Sequence, residues 1–299
     1  MPDIVITEFM DEAAVNDLSR EFDVLYDPGL VDRPDELAAM LPGARALIVR
    51  NRTQVRGELL ASGIRCVGRL GVGLDNIDVD GCEARGIHVY PATGANDASV
   101  AEYVIATAMM LLRGAYHSTA EVAAGTWPRQ ALIGREVGGR TLGLIGYGSI
   151  ARKTAARATA LGMRVIAHDP YAQEADVELT DLYGLLGRAD VISLHVPLTS
   201  DTRHLIDEEA LAQVRKGAVL VNAARGGVVD EEALATALRT GRLAGAALDV
   251  FEDEPLAGGS VLADVPNLIL TPHIAGVTEE SNVRVSALIA ERIRAHLTG

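Results

Sequence analysis

Residues 141–151 read TLGLIGYGSIA, an apolar strand that runs into Gly146-Tyr147-Gly148-Ser149-Ile150-Ala151 and then into a helix-forming run of Ala and Arg residues. Glycine at 146 permits a tight turn, Gly148 lets a pyrophosphate approach the backbone, and the small Ala151 allows close helix-to-strand packing. The helix start at Ser149 and Ile150 offers free N–H groups and the positive end of the helix dipole to phosphates. Alone, G-x-G-x-x-A is a weak signal that an ordinary glycine turn would also give. The context strengthens it. The next apolar run, 164–168, leads into His168-Asp169-Pro170, which places Asp169 about 20 residues after the glycines, where a carboxylate accepts hydrogen bonds from the adenosine ribose hydroxyls. An acid there repels the extra phosphate of NADP, so the stretch predicts a bound NAD.

Outward from this point, short apolar runs alternate with helical patterns from end to end, the signature of parallel sheets with crossover helices on both faces. On the C-terminal side the expected strands are 141–145, 164–168, 190–195, 218–222, 245–249 and 267–271, six in all, which suits a dinucleotide-binding sheet. Upstream they are 3–7, 23–26, 46–50, 66–70 and 88–90, with polar or amphipathic segments such as 11–20 and 55–61 between them. From Ser99 a long apolar helix runs to about Arg113, and Ser99 with Glu102 has the S-x-x-E spacing of a capping box. A last helix, 279–297, carries Val283, Leu288, Ile289 and Ile293. It follows the last strand of the second sheet, so it is free to pack back on the first domain. The expected division is 1–96 plus 277–299, interrupted by 97–276.

Composition bounds the function. The chain has 299 residues, with 27 Lys plus Arg against 41 Asp plus Glu and a formal charge of -14. That acidity disfavours general binding to nucleic acid or to anionic membrane, both of which need a basic face. An anionic ligand must therefore be met by a local basic cluster. Cys66 and Cys82 form no CxxC pairing, so neither a disulfide framework nor a zinc site is readable and no metal is expected. There is no basic leader before the run at Ile4, and no apolar stretch of about 18 residues. A soluble cytoplasmic protein is the expectation.

Ligands of doubly wound sheets sit at the carboxyl ends of the strands. Arg225 follows one strand in NAARGGVVD, Glu254 another in DVFEDEP, and His273 the last in TPHIAG. An Arg, a carboxylate and a His converging on a nicotinamide supply a fork for the carboxylate of a 2-keto acid, a proton donor for its carbonyl oxygen and an acid that holds the donor. A carboxylate beside imidazole also fixes which ring nitrogen faces the substrate. Each has a bland alternative: Arg225 paired with Asp230, His273 a loop histidine, Glu254 one acid among Glu252 and Asp253. His195 also ends a strand, but Val196 and Pro197 leave it no obvious acid partner, and it reads as structural or cofactor-side.

Together, Gly146 to Ala151 with Asp169, HVPLTSDTRHLI, VNAARGGVVDEEAL, GAALDVFEDEPL and NLILTPHIAG resemble the NAD-dependent D-isomer-specific 2-hydroxyacid dehydrogenase family, in particular its 3-phosphoglycerate dehydrogenase-like branch. RLGVGLDNID near Gly71 and the VRNRT run, with Arg50 and Asn51, resemble that branch's substrate-domain motifs. The resemblance implies an α/β fold in which a Rossmann-type nucleotide-binding domain is inserted in a flavodoxin-like substrate domain. It also implies a cleft that closes and a homodimer built on the nucleotide domain. Catalysis would fall to Arg225, Glu254 and His273. The amides of Gly71, Val72 and Gly73 would hold the substrate carboxylate, and Val196, Pro197, Thr202, Ala223, Ala224, Asp249, His273 and Gly276 would lie on the cofactor side. Trp127 and Arg129 resemble a segment that can reach the partner subunit's cleft, although a buried dimer anchor explains the Trp equally well. Ala151 stands where the family usually has Gly, a mild departure. The chain stops at Gly299, so serine-type feedback through a C-terminal regulatory domain is not expected.

The expected reaction is hydride exchange between NAD and a small 2-hydroxy acid, with Arg225 on the carboxylate and His273, held by Glu254, handling the proton. Arg50, Arg52 and Arg69 suggest a second anion on carbon 3, with 3-phosphoglycerate the first candidate and 3-sulfolactate the second; glycerate, lactate, hydroxypyruvate or glyoxylate chemistry is the alternative. A rival from another class is an NAD(H)-sensing corepressor-like protein on the same fold. The complete Arg, Glu and His set argues against it.

Overall fold

The computed structural model describes residues 1–299. They form two compact units, Met1–Asn96 with Val277–Gly299, and Asp97–Gly276.

In the first unit five short strands, β1 (Ile4–Ile6), β2 (Val24–Tyr26), β3 (Ala46–Val49), β4 (Cys66–Arg69) and β5 (His88–Pro91), alternate with the helices α1 (Glu12–Leu18), α2 (Pro34–Met40) and α3 (Val79–Glu83). All are parallel, in the order β2-β1-β3-β4-β5, the flavodoxin-like arrangement. The two-residue period of a strand sends alternate side chains to opposite faces. Ile4, Ile6, Ala46, Ile48 and Cys66 therefore join one core, while Val5, Leu47, Val49 and Val67 join another across the sheet. With both faces covered, these strands read as continuous apolar runs rather than alternating ones. The segment 55–61 is a 3-10 turn, Gly57–Ala61.

The second unit opens with α4 (Asp97–Arg113) and the short α5 (Thr119–Ala123). Then come β6 (Thr141–Ile145), α6 (Ser149–Ala160), β7 (Arg164–His168), β8 (Glu178–Leu179), α7 (Leu182–Arg188), β9 (Val191–Leu194), α8 (Glu208–Gln213), β10 (Val219–Asn222), α9 (Glu231–Arg239), β11 (Gly245–Leu248) and β12 (Leu268–Leu270). The sheet has seven parallel strands, ordered β12-β11-β10-β9-β6-β7-β8. From the β8 side this is the doubly wound order 3-2-1-4-5-6 with one strand added, and it reverses between β6 and β9. Two corrections to the sequence reading follow. The sheet holds seven strands rather than six, because β8 has only two residues, both exposed, and no apolar run to announce it. The capping box at Ser99 does not form: α4 begins at Asp97 and Ser99 is buried inside it.

The chain then returns to the first unit as α10 (Glu279–Thr298). Thr278 caps it in a box with Ser281, each side chain taking the other residue's backbone N–H. Val285, Ile289, Ala290, Ile293 and Leu297 pack on the core that contains Ile4 and Ile48. Leu288 is at its margin, and Val283, expected on the apolar face, is 52% exposed. The helix lies so close to β4 that a Cβ at Gly68 would fall 2.5 Å from the Ile289 Cγ2. No single helix is long and apolar enough to cross a membrane.

Candidate active site

The glycine turn joins β6 to α6. Gly146 has φ +88, donates its N–H to the His168 carbonyl, and lies so near β9 that a Cβ would meet the His195 carbonyl oxygen at 2.6 Å. Gly148 is the N-cap of α6 and supplies no side-chain cap, so the first-turn N–H groups at Ser149 and Ile150 keep the donors that a phosphate would take. A Cβ at Gly148 would meet no atom within 4 Å. That open cradle fits a pyrophosphate. Ala151 is fully buried where the helix meets the sheet, so the methyl is tolerated there. Asp169 is held by backbone: Oδ2 accepts from the Tyr147 N–H at 2.8 Å and Oδ1 from the Tyr171 N–H at 2.9 Å. Tyr147, Arg152, Asp169 and Tyr171 line one pocket of about 470 Å³.

Three loops after the adjacent strands β10, β11 and β12 carry Arg225, Glu254 and His273. Glu254 Oε2 lies 2.7 Å from His273 Nδ1, and its Oε1 accepts the Phe251 N–H at 3.1 Å. Burial acts to raise the Glu254 pKa, but the His273 hydrogen bond and charge, the Phe251 amide and the Arg225 charge outweigh it and hold the carboxyl below its ordinary value. Because Nδ1 is committed to Glu254, Nε2 is the ring nitrogen left for a substrate. Among the three acids of this loop it is Glu254 that pairs with His273. Glu252 turns away to His204, and Arg225 donates Nη1 to the Ala224 carbonyl at 2.6 Å. The Arg225 loop and the Glu254 loop touch backbone to backbone, since a Cβ at Gly226 would fall 1.6 Å from the Phe251 carbonyl oxygen.

Asp249, expected on the cofactor side, is buried and scaffolds the His273 loop. Its carboxylate accepts the Thr271 hydroxyl at 2.6 Å and the Ile274 and Ala275 N–H groups at 2.8 Å each, and its carbonyl accepts the His273 N–H. These bonds hold His273 at φ +52, unusual for a residue with a side chain. Just after β9, His195 finds a hydroxyl rather than an acid: Nε2 is 3.0 Å from Ser193 Oγ, and burial depresses its pKa to about 4, so the ring is neutral at neutral pH. After Val196 and Pro197, Thr202 closes the loop by donating its hydroxyl to the Pro197 carbonyl. Ala223 and Ala224 are half-buried beside Arg225, and Gly276 ends the unit.

The first unit places its candidates at the carboxyl ends of the neighbouring strands β3 and β4. Arg50 donates Nη2 to Asn282 Oδ1 at 2.7 Å and lies over the Phe9 ring. Burial pulls its pKa down while the Glu8 charge opposes. Arg52 forms an ion pair with Asp32, and Asn51 is exposed. Sequence reasoning missed Glu8, whose buried carboxylate accepts the backbone N–H groups of Arg50, Arg52 and Thr53 and so shapes this loop. Of the three amides expected at 71–73, that of Gly71 donates to the Arg69 carbonyl at 2.7 Å. Trp127 is 75% exposed and is no buried anchor within the chain; Arg129 is exposed nearby.

Comparison with known proteins agrees with this geometry. Residues 105–275 match the family model for the D-isomer specific 2-hydroxyacid dehydrogenase, NAD binding domain. The chain belongs to the D-isomer-specific 2-hydroxyacid dehydrogenase family and is an NAD-dependent oxidoreductase of 2-hydroxy acids. It is 58% identical over 302 residues to an (S)-sulfolactate dehydrogenase of Chromohalobacter salexigens, covering 98% of each chain. It is 41% identical over 308 residues to a D-3-phosphoglycerate dehydrogenase of Mycobacterium leprae, spanning the whole of this chain but 57% of that one. A solved structure from Thermus thermophilus superposes with a TM-score of 0.91 at 34% identity, covering 99% of this chain and 97% of the other.

Proposed function

We propose that the chain interconverts a 2-hydroxy acid carrying a sulfonate on carbon 3 with its 2-keto acid, so that 3-sulfolactate comes before 3-phosphoglycerate, the reverse of the order the sequence suggests. The observation that carries this is the charge state of the arginines after β3. Arg52 is neutralised by Asp32, whereas the guanidinium of Arg50 rests on the neutral Asn282. A guanidinium in no direct ion pair, its charge partly offset by the nearby Glu8, suits a singly charged sulfonate better than a doubly charged phosphate. The 58% identity to an (S)-sulfolactate dehydrogenase supports the same choice. The descriptor S is compatible with a D-specific family: sulfur gives the sulfomethyl group priority over the carboxylate, so the S label falls on the arrangement called D in lactate.

NAD supplies the hydride acceptor. Arg225 binds the substrate carboxylate. His273 takes the hydroxyl proton on Nε2 as the carbon gives up its hydride, and in the reverse direction returns it to the carbonyl oxygen. Glu254, fixed on Nδ1, orients the ring and stabilises the imidazolium that forms. Around the cofactor, Ser149, Ile150, Gly146 and Gly148 meet the pyrophosphate and Asp169 the ribose. The exposed apolar side chains Met109, Met110, Tyr116, Val122, Trp127 and Ile133 support a homodimer formed through the nucleotide-binding unit. The free, buried thiols of Cys66 and Cys82 support a reducing, cytoplasmic setting.

The test is NADH formation with a panel of 2-hydroxy acids at fixed NAD. Expected is a kcat/KM for (S)-3-sulfolactate at least tenfold above those for D-3-phosphoglycerate, D-glycerate and D-lactate, with Arg50→Ala removing most of the preference. Equal values for sulfolactate and lactate would refute the anionic tail.

A further inference from the structure

Four residues other than glycine have positive φ, namely His204, Asp264, Asn267 and His273. Asp and Asn enter this region most readily; a histidine there is uncommon, carries some strain and calls for a local reason. His273 is held in this conformation by the Asp249 bonds, and its ring there pairs with Glu254. For His204, at φ +50, the reason is a second pairing of the same kind, with an acid two residues before Glu254 on the same loop: Nε2 lies 2.9 Å from Glu252 Oε1. The other ring nitrogen faces Asp230 Oδ2 at 4.0 Å, and Arg203 Nη2 reaches Glu252 Oε2 at 3.7 Å.

The backbone around His204 joins the same parts. Its N–H donates to the Gly227 carbonyl at 2.7 Å, Ile206 donates to Val228, and Asp230 donates back to Ile206, all within the loop that begins at Arg225. Glu252 in turn donates its N–H to Glu231 Oε1 at 2.9 Å. Asp230, Glu231, Glu252 and Asp253 crowd this corner, and burial together with the neighbouring acids pushes the Glu231 carboxyl up. The histidine and Arg203 are the groups that answer these acids.

We propose that His204 is a positioning residue: gripping Glu252 with its ring and Gly227 with its backbone, it clamps the Arg225 loop and the Glu254 loop together and so sets the geometry of the reacting groups. This rests on the assignment of Arg225, Glu254 and His273 to the chemistry. Neither His204 nor Glu252 touches substrate in this reading; both act through the loops they hold. The strained φ is retained because a glycine or asparagine, easier for the backbone, lacks the reach to Glu252.

The experiment compares His204→Gly, Glu252→Gln and the double variant in keto-acid reduction, alongside melting temperature and NADH affinity. His204→Gly relieves the backbone, so its melting temperature should not fall. Its kcat should drop about tenfold while the Kd for NADH stays within twofold, and added imidazole should restore at least threefold of kcat to this variant and none to the wild type. The double variant should be no slower than the slower single. A kcat within twofold of wild type, or losses that multiply in the double variant, would overturn the clamp. His204→Asn, which accepts the same φ but is too short, should match His204→Gly and serves if the glycine variant is unstable; wild-type kcat in that variant overturns the clamp equally. The underlying assignment fails separately, on a His273→Asn variant that keeps wild-type turnover.

Discussion

Replacing Gly226 with alanine is the sharpest test of how this site is assembled. The added Cβ would sit 1.6 Å from the Phe251 carbonyl oxygen and 2.1 Å from its carbon, both backbone atoms that cannot rotate away. Real Cβ contacts are essentially never under 3.0 Å, so the two loops must part by about 1.4 Å. One loop begins at Arg225, the other holds Glu254, and displacement of about 1 Å between reacting groups costs on the order of a hundredfold in rate. Overpacking of this kind also costs roughly 1–3 kcal/mol, a fall of roughly 2–12 °C in melting temperature for a unit of this size. Expected, therefore, is a kcat/KM for keto-acid reduction down about a hundredfold, with NADH affinity by fluorescence titration falling far less, since the pyrophosphate turn at Gly146 and Gly148 belongs to other strands and only Ala223 and Ala224 share the moved loop. Gly258→Ala is the control, because its Cβ would meet nothing within 4 Å. A Gly226→Ala enzyme within threefold of wild type in kcat/KM would refute the reasoning whatever its melting temperature.

Two further outcomes follow from the electrostatics. His195 has its pKa lowered from 6.5 to about 4, so the folded state binds fewer protons than the unfolded state between those values. Its contribution to stability is present above pH 6.5 and is lost as pH falls towards 4. The melting-temperature difference between wild type and His195→Asn should shift against the wild type across that window, and a constant difference would refute the assignment. Asp169→Ser removes the negative charge and frees the Tyr147 and Tyr171 amides that its oxygens hold, leaving donors where the extra phosphate of NADP would lie. The ratio of kcat/KM for NADPH over NADH should rise at least tenfold, and an unchanged ratio would refute the role of Asp169.

Much of this was legible in the sequence because strands buried on both faces announce themselves as short apolar runs. β6 and β7 fall where 141–145 and 164–168 place them, and the others differ by a residue or two at their ends. What escaped had no such signal. β8 is two exposed residues paired to an edge, and the cap of α10 uses Thr278 with Ser281 rather than a glutamate three residues on. The glycine turn and the Arg225, Glu254 and His273 loops are local in sequence and could be read. Glu8 under the 50–53 loop, Asp249 under the His273 loop and His204 against Glu252 are contacts made only by the folded chain, in which an acid looks like any other acid. The capping-box pattern at Ser99 shows the converse: a valid local motif is overridden when the helix begins earlier and buries the serine.

The position of α10 has a consequence for biosynthesis. The core of the first unit is closed by Ile289 and Ile293, both fully buried, yet these residues follow the whole second unit in the chain. A ribosome adding roughly 5–20 residues per second needs on the order of ten to forty seconds to cross that interval. Until it has done so, the faces of β1, β3 and β4 that await α10 stay open, while the unit encoded in the middle can complete itself. The order of maturation is thus inside first, outside last, and the nascent chain is most exposed to aggregation through the sheet it made earliest.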